Sequence, residues 1–221
     1  YHLTINLLKN CLDKMGHFNY SNLFGIDKER FSVMKLGIED MKKDYPCEKT
    51  DKQYFLSAGR SNRDYSFLCD AWDTMNKSYG GGGGYCLKVV CDTLHKRNTE
   101  FITFLDHCHG NKYYEELSKC YAVILPLENI HVSSGQLVLI QAMMLGKPII
   151  VTQNDTVSDY ILDGVNGIVI EKDVDALFDA VTRLENEKFY KLLSQNARNS
   201  YEENFSVYSF GMRVGKILVN N

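Results

Sequence analysis

No apolar run in this 221-residue chain approaches the roughly 20 residues needed to cross a bilayer, and no secretory hydrophobic segment follows the N-terminus. Nor is there an excess of either charge: 25 Lys and Arg stand against 28 Asp and Glu, a net −3. That balance excludes bulk nucleic-acid binding and a polybasic membrane surface, while leaving room for a local basic site. The seven cysteines (Cys11, Cys47, Cys69, Cys86, Cys91, Cys108 and Cys120) are odd in number and form no C-x-x-C. Several sit in apolar strand-like segments, as reduced core cysteines of a cytoplasmic protein do, and not as a disulfide framework. H-E-x-x-H, G-x-S-x-G and Walker sequences are all missing. Asp106-His107-Cys108-His109 carries metal-capable side chains. It lacks a fourth partner at zinc-site spacing, so it reads as a loop in which His107 or His109 could make polar contacts and not as a metal centre. The chain opens on Tyr1, not Met, and is expected to be a fragment or a processed product.

What is present is an alternation. Short apolar runs at 54–58, 85–91, 100–105, 122–126, 149–152 and 168–170 read as strands. Between them, 65–77, 113–120 and the segment opening at Ser134-Gly135-Gln136 read as helices, with a short helix at 156–162. Asp173 caps a helix reaching about residue 186, and further helices are expected over 188–204 and 207–219. Continuous apolar strands alternating with helices specify an α/β fold, a doubly wound parallel sheet covered on both faces. Ahead of this unit, 3–15 has helical apolar spacing, 31–36 resembles a short strand, and the charged stretch 42–52 with Pro46 reads as a linker. Five glycines, Gly80 to Gly84, precede a strand instead of following one, so they form a connector and not a dinucleotide fingerprint.

Ligands of such sheets bind outside the carboxyl ends of the strands. Three loops fall there: 59–64, 105–112 and 127–136. In the last, Ser133-Ser134-Gly135-Gln136 opens a helix and offers backbone N–H groups, hydroxyls and a positive dipole end to an anion, above all a phosphate. An ordinary serine N-cap with a flexible glycine would look the same locally. In the first loop, Arg60 and Arg63 bracket a Ser-Asn turn, and arginine pairs bidentately with phosphate oxygens. Either arginine alone would pass for a solvated turn residue. On one edge with the serine helix, the pair makes a diphosphate site chemically sensible.

The order of these motifs resembles the donor half of GT-B glycosyltransferases, closest to the group 1 (family 4-like) set. The strand ending at Pro126, the loop, the helix with Ala142-Met143, Gly146-Lys147-Pro148 before the strand 149–152, and Asp163-Gly164-Val165-Asn166-Gly167 all follow that pattern. Gly59-Arg60 with Arg63 is similar to the family's Gly-Arg and Lys segment. The likeness covers about residues 20–204. It implies the C-terminal half of a GT-B fold: 1–50 as the remnant of a first domain and crossover arm, 51–205 as the Rossmann-like nucleotide-sugar domain, and 206–221 as the C-terminal crossover helix. It implies a UDP- or GDP-linked sugar as substrate with no resident cofactor and no metal, and transfer of that sugar to an acceptor in polysaccharide or glycolipid synthesis. Arg60, Arg63, Ser134, Gly135 and Gln136 would hold the diphosphate. Phe104, Leu105 and Gln141 would face the nucleoside and ribose, and Ser133 the donor sugar. The N-terminal acceptor domain would be a missing partner, its absence leaving this fragment inactive, and any peripheral membrane association would run through that half. Where the family often has two glutamates separated by seven residues, this chain has Ser133 and Gln141. That substitution keeps open a non-catalytic nucleotide-sugar-binding module; a sugar-nucleotide epimerase of the same fold is a further alternative, and would require additional carboxylate and histidine chemistry around the pocket.

Overall fold

The computed structural model describes residues 10–11, 25, 27, 32–47, 54–78, 84–92 and 96–219. Its centre is a six-stranded, wholly parallel sheet in the order β5-β4-β3-β6-β7-β8. The strands are β3 (Tyr54–Ala58), β4 (Cys86–Val90), β5 (Ile102–Leu105), β6 (Ala122–Leu125), β7 (Ile149–Thr152) and β8 (Ile168–Ile170). The pair β1 (Asn10–Cys11) and β2 (Ser32–Val33) forms a separate parallel ladder. The central runs Tyr-Phe-Leu-Ser-Ala, Ala-Val-Ile-Leu and Ile-Ile-Val-Thr are buried at every position, because helices cover both faces of the sheet. At the edges the pattern loosens, and Thr103 in β5 reaches solvent.

The pleat sorts side chains onto two cores. Leu56, Val123, Leu125 and Val151 pack against α2 (Asn111–Lys119), α3 (Gln136–Leu145) and α5 (Glu187–Asn204). Phe55, Leu87, Ile124 and Ile150 pack against α1 (Tyr65–Ser78) and α4 (Val174–Arg183). Helix α3 is buried along Leu139 to Leu145, as a helix apolar on all sides must be. It stops at Gly146, whose φ of 68° suits glycine and whose N–H returns to α3 carbonyls. The following Lys147 is buried, and its ammonium donates to the Cys120 carbonyl at 2.8 Å.

Upstream of the sheet, residues 35–45 lie along α5 and the last helix, α6 (Val207–Val219). Ile38 N–H donates to the Phe205 carbonyl at 2.9 Å, Tyr201 returns its hydroxyl to the Ile38 carbonyl at 2.9 Å, and Arg198 grips both Asp40 oxygens. That grip holds the Asp40 carboxyl below its ordinary value. Helix α6 buries no residue and leaves Tyr208, Met212, Leu218 and Val219 exposed.

Two sequence expectations change. Of the helix expected over 3–15, only Asn10 and Cys11 are described, and they are strand: pairing with β2 overrides a local helical spacing that spans few residues. The helix expected at 156–162 is a 3-10 turn over Val157–Asp159. Residues 80–83 of the glycine run lie outside the described residues, as do the linker positions 48–52.

Trp72 is fully buried on α1, edge-on to Phe55 with ring centroids 5.2 Å apart, and its Nε1–H donates to the Tyr85 carbonyl at 2.9 Å. Trp72→Ala should cost about 3–5 kcal/mol of stability, read as a lower urea midpoint by far-UV circular dichroism. A loss below about 1 kcal/mol would mean that α1 does not anchor this core.

Candidate functional site

Strand order reverses between β3 and β6. From β3 the chain winds outward to β5, then returns to the middle and winds the other way to β8. Adjacent loops at this switch point leave on opposite faces, which opens a crevice at the carboxyl edge. The site is built from the two segments that leave there.

The first segment turns at Gly59 (φ 102°) and Asn62 (φ 54°), both in the left-handed region that glycine and asparagine tolerate best. The turn folds Arg63 back under β3: Nε donates to the Ala58 carbonyl at 3.0 Å and Nη1 to the Ser61 carbonyl at 2.7 Å. The φ favours glycine at 59, and a Cβ there would also lie 2.8 Å from Arg63 Nη2 and displace that guanidinium end. Burial lowers the Arg63 pKa, yet a guanidinium keeps its charge. Among the described residues Nη2 has no hydrogen-bond partner, and the exposed Arg60 has none at all.

The second segment, 126–135, is stitched to the first. Asp64 N–H donates to the Pro126 carbonyl at 2.8 Å, and Arg63 pairs with Leu127 as a single antiparallel bridge. Asn62 Oδ1 accepts from Asn129 N–H at 2.7 Å, while its Nδ2 lies 3.1 Å from the Asn129 carbonyl, 3.2 Å from that of Val132 and 3.1 Å from Ser134 Oγ. From the end of β7, Thr152 Oγ1 accepts from Leu127 N–H at 2.7 Å, and Asn154 Nδ2 donates to the Asn129 and Val132 carbonyls, each at 3.0 Å.

This segment delivers the N-terminus of α3. Gly135 is the N-cap at φ 87° with no side-chain cap, and a Cβ there would lie 2.5 Å from Leu125 Cδ2 and 3.4 Å from Arg63 Nη2. The Gln136 amide turns aside to the Ser133 hydroxyl. The first intrahelical bond runs from Leu139 N–H to the Gly135 carbonyl, so the N–H groups of 136–138 point outward without an intrahelical partner. Cation and helix end therefore meet across the crevice.

Beyond the arginines a cleft of about 940 Å³ continues past Tyr65, Cys91, Asp92 and Phe104. Tyr65 donates its hydroxyl to the Gly59 carbonyl at 2.6 Å and meets Phe104 edge-on at 6.1 Å. Asp92 organises the loop after β5: its carboxylate accepts from His107 N–H at 2.9 Å and lies 2.7 Å from His109 Nε2. Among the described residues, no three His, Cys, Asp or Glu side chains gather as a metal-binding group would, and no helix is long and apolar enough to cross a membrane. A separate cavity of about 690 Å³, lined by Lys147, Tyr121 and Tyr190, lies by the start of β6 and β7, away from these loops.

A family model described as glycosyl transferases group 1 matches residues 52–187. The chain belongs to the group 1 glycosyltransferases. No curated protein sequence matches it. Among solved structures, a glycosyltransferase from Rickettsia africae ESF-5 shares the fold with a TM-score of 0.73 at 13% identity, over 94% of this chain and 62% of that one. Anabaena HepE, solved with UDP and glucose, gives 0.75 at 14% identity over 100% and 66%. A sucrose-phosphate synthase from Thermosynechococcus elongatus gives 0.71 at 16% identity over 96% and 57%. At such identities the likeness establishes the Rossmann-like fold of GT-B glycosyltransferases, and the chain spans 57–66% of the length of these three.

Within this group 1 fold the expected site residues divide. Arg60, Arg63 and Phe104 line one cleft, and Gly135 reaches it through Arg63 Nη2. Ser134 joins through Asn62, and Gln136 sits beside it with its side chain on Ser133. Leu105 is half-buried at the end of β5. Gln141 is not a wall of this cleft; it is 9% exposed, and its amide donates to the Tyr114 hydroxyl at 3.0 Å. Asn154 and Thr152, and the clasp made by Asn62, were not singled out from sequence. A polar residue just after each of two buried strands was the available signal, because buried polar groups at strand ends need loop partners.

Its two hydrogen bonds, the His107 backbone first, hold Asp92 below the ordinary 3.8. A depressed carboxylate stabilises fully above its unfolded value and loses that contribution as pH falls through the folded one. Protection of His107 N–H from hydrogen exchange, relative to its intrinsic rate, should therefore be present at neutral pH and be lost below pH 3.8. Asp92→Asn should flatten that dependence; an unchanged profile in the variant would remove Asp92 as the cause.

Proposed function

We propose that this chain supplies the donor side of a glycosyl transfer, binding a UDP- or GDP-linked sugar at the β3/β6 switch point. The observation that carries the reading is electrostatic. The unengaged Nη2 of Arg63 lies beside an uncapped helix N-terminus, and Arg60 lines the same cleft as Arg63, a combination that suits the two phosphates of a nucleoside diphosphate. Arg60, Arg63, the Ser134 hydroxyl and the N–H groups at Gly135 and Gln136 hold the diphosphate. The cleft beside Phe104 takes the nucleoside, with Leu105 at the end of the adjoining strand. As the bond between the anomeric carbon and the phosphate oxygen breaks, the electron pair stays on the diphosphate, and these positive groups stabilise it. The donor is a substrate, and the reading includes no resident cofactor. The acceptor, in polysaccharide or glycolipid assembly at the cytoplasmic side, belongs to a further domain, so residues 1–221 alone bind donor without transferring it. A second reading, a nucleotide-sugar-binding module without transfer, is favoured by Gln141, whose uncharged amide is already engaged by Tyr114.

Calorimetric titration with UDP and GDP tests the site. One of them should bind, and Arg60→Ala and Arg63→Ala should each weaken it by roughly 10–100-fold, the scale of about 1.5–3 kcal/mol per charge-assisted hydrogen bond. Binding of neither, or variants that behave as the parent does, would overturn the diphosphate assignment.

A further inference from the structure

The carboxamides of Asn62 and Asn154 both close on one turn. Asn62 Oδ1 accepts from Asn129 N–H at 2.7 Å, and Asn154 Oδ1 accepts from the Thr156 N–H at 2.9 Å and hydroxyl at 2.8 Å. Each oxygen being fixed, each Nδ2 points into the 129–132 turn. Asn154 Nδ2 has two protons and two acceptors, the Asn129 and Val132 carbonyls, each at 3.0 Å. Asn62 Nδ2 has two protons and three acceptors, the same two carbonyls and Ser134 Oγ, at 3.1–3.2 Å. The two networks differ in what they leave over. Asn154, 1% exposed, satisfies both carbonyls by itself and holds the turn whether or not a ligand is present. Asn62 can therefore commit a proton to Ser134 without leaving a carbonyl unpaired.

We propose that Asn62 is a positioning residue for the donor diphosphate, acting through Ser134. By donating to Ser134 Oγ it occupies a lone pair, turns the hydroxyl proton outward toward the α3 N-terminus, and polarises that O–H as a donor to a phosphate oxygen. The proposal rests on the nucleotide reading of the crevice. It adds that the Gly-Arg-Ser-Asn-Arg turn recognises phosphate twice, directly through its arginines and indirectly through its asparagine.

The test uses Asn62→Gly, which tolerates the φ of 54° while removing the carboxamide, together with Ser134→Ala and the double variant. Affinity for UDP and GDP is measured by calorimetry, affinity for uridine and guanosine by ligand-observed NMR, and folding by thermal melts. Asn62→Gly should weaken the diphosphate about tenfold, the effect of one hydrogen bond, with nucleoside affinity unchanged. Added to Ser134→Ala it should cost little more, because both changes remove the same donor. Parent-like diphosphate binding by Asn62→Gly, losses that multiply in the double variant, or an equal loss for the nucleoside would each overturn the positioning role while leaving the diphosphate site standing. If the parent binds neither diphosphate, the site and the positioning role fall together.

Discussion

The crevice depends on two asparagines that close on one turn, Asn154 from beyond β7 and Asn62 from a left-handed turn after β3. At a switch point the two neighbouring strands send their chains to opposite faces, and nothing in the sheet itself draws those chains back together. Asn62 does so through main chain and side chain at once: its carbonyl accepts from Glu128 N–H at 3.3 Å, its Oδ1 from Asn129, and its Nδ2 reaches the far side of the same loop. The φ of 54° that allows this also aims the next residue, Arg63, beneath β3. A β-branched residue at 62 would be strained in that conformation and would have no carboxamide.

The chain's net charge of −3 says little about this edge, because most nearby cations are already matched. Lys96 pairs with Asp106, Arg97 with Asp70 and Asp73, and Lys172 with Asp64. Exposed pairs of this kind add little stability, but they remove their charges from the competition for an anion. Arg60 and the Nη2 of Arg63 remain, beside N–H groups whose partial charge has no capping side chain to absorb it. Two guanidinium groups are thus left open to an anion on an edge whose other cations are matched, an arrangement that composition alone cannot reveal.

The sheet was legible because parallel central strands advertise themselves as unbroken apolar runs, and the runs at 54–58, 122–125 and 149–152 are buried throughout. The α3 start was legible from Ser133-Ser134-Gly135, since a glycine and small hydroxyls ahead of an apolar stretch mark a helix entrance. Residues 10–11 were not, because a two-residue strand is set by its partner and not by its own sequence. Within the site, the arginines could be found by charge and position. The roles of Asn62, Thr152 and Asn154 could not, because each acts on backbone groups more than 20 residues away in sequence, at separations of 67, 25 and 25.

Gln141 marks where a residue's position in sequence and its chemistry separate. It stands on α3 where the resemblance leads one to expect a carboxylate, yet it is buried against α2 with its amide on Tyr114. A carboxylate there would carry a buried charge needing a cation or several donors, whereas an amide is satisfied by a neighbouring hydroxyl. Under the proposed donor reading, an amide already satisfied by Tyr114 would not need a ribose hydroxyl to complete its hydrogen bonds. A nucleotide held mainly by its diphosphate is discriminated weakly by its nucleoside, since the phosphates are common to every donor. Under the same proposed reading, base selectivity would fall to the walls around Tyr65 and Phe104, where shape and stacking, and not charge, do the distinguishing.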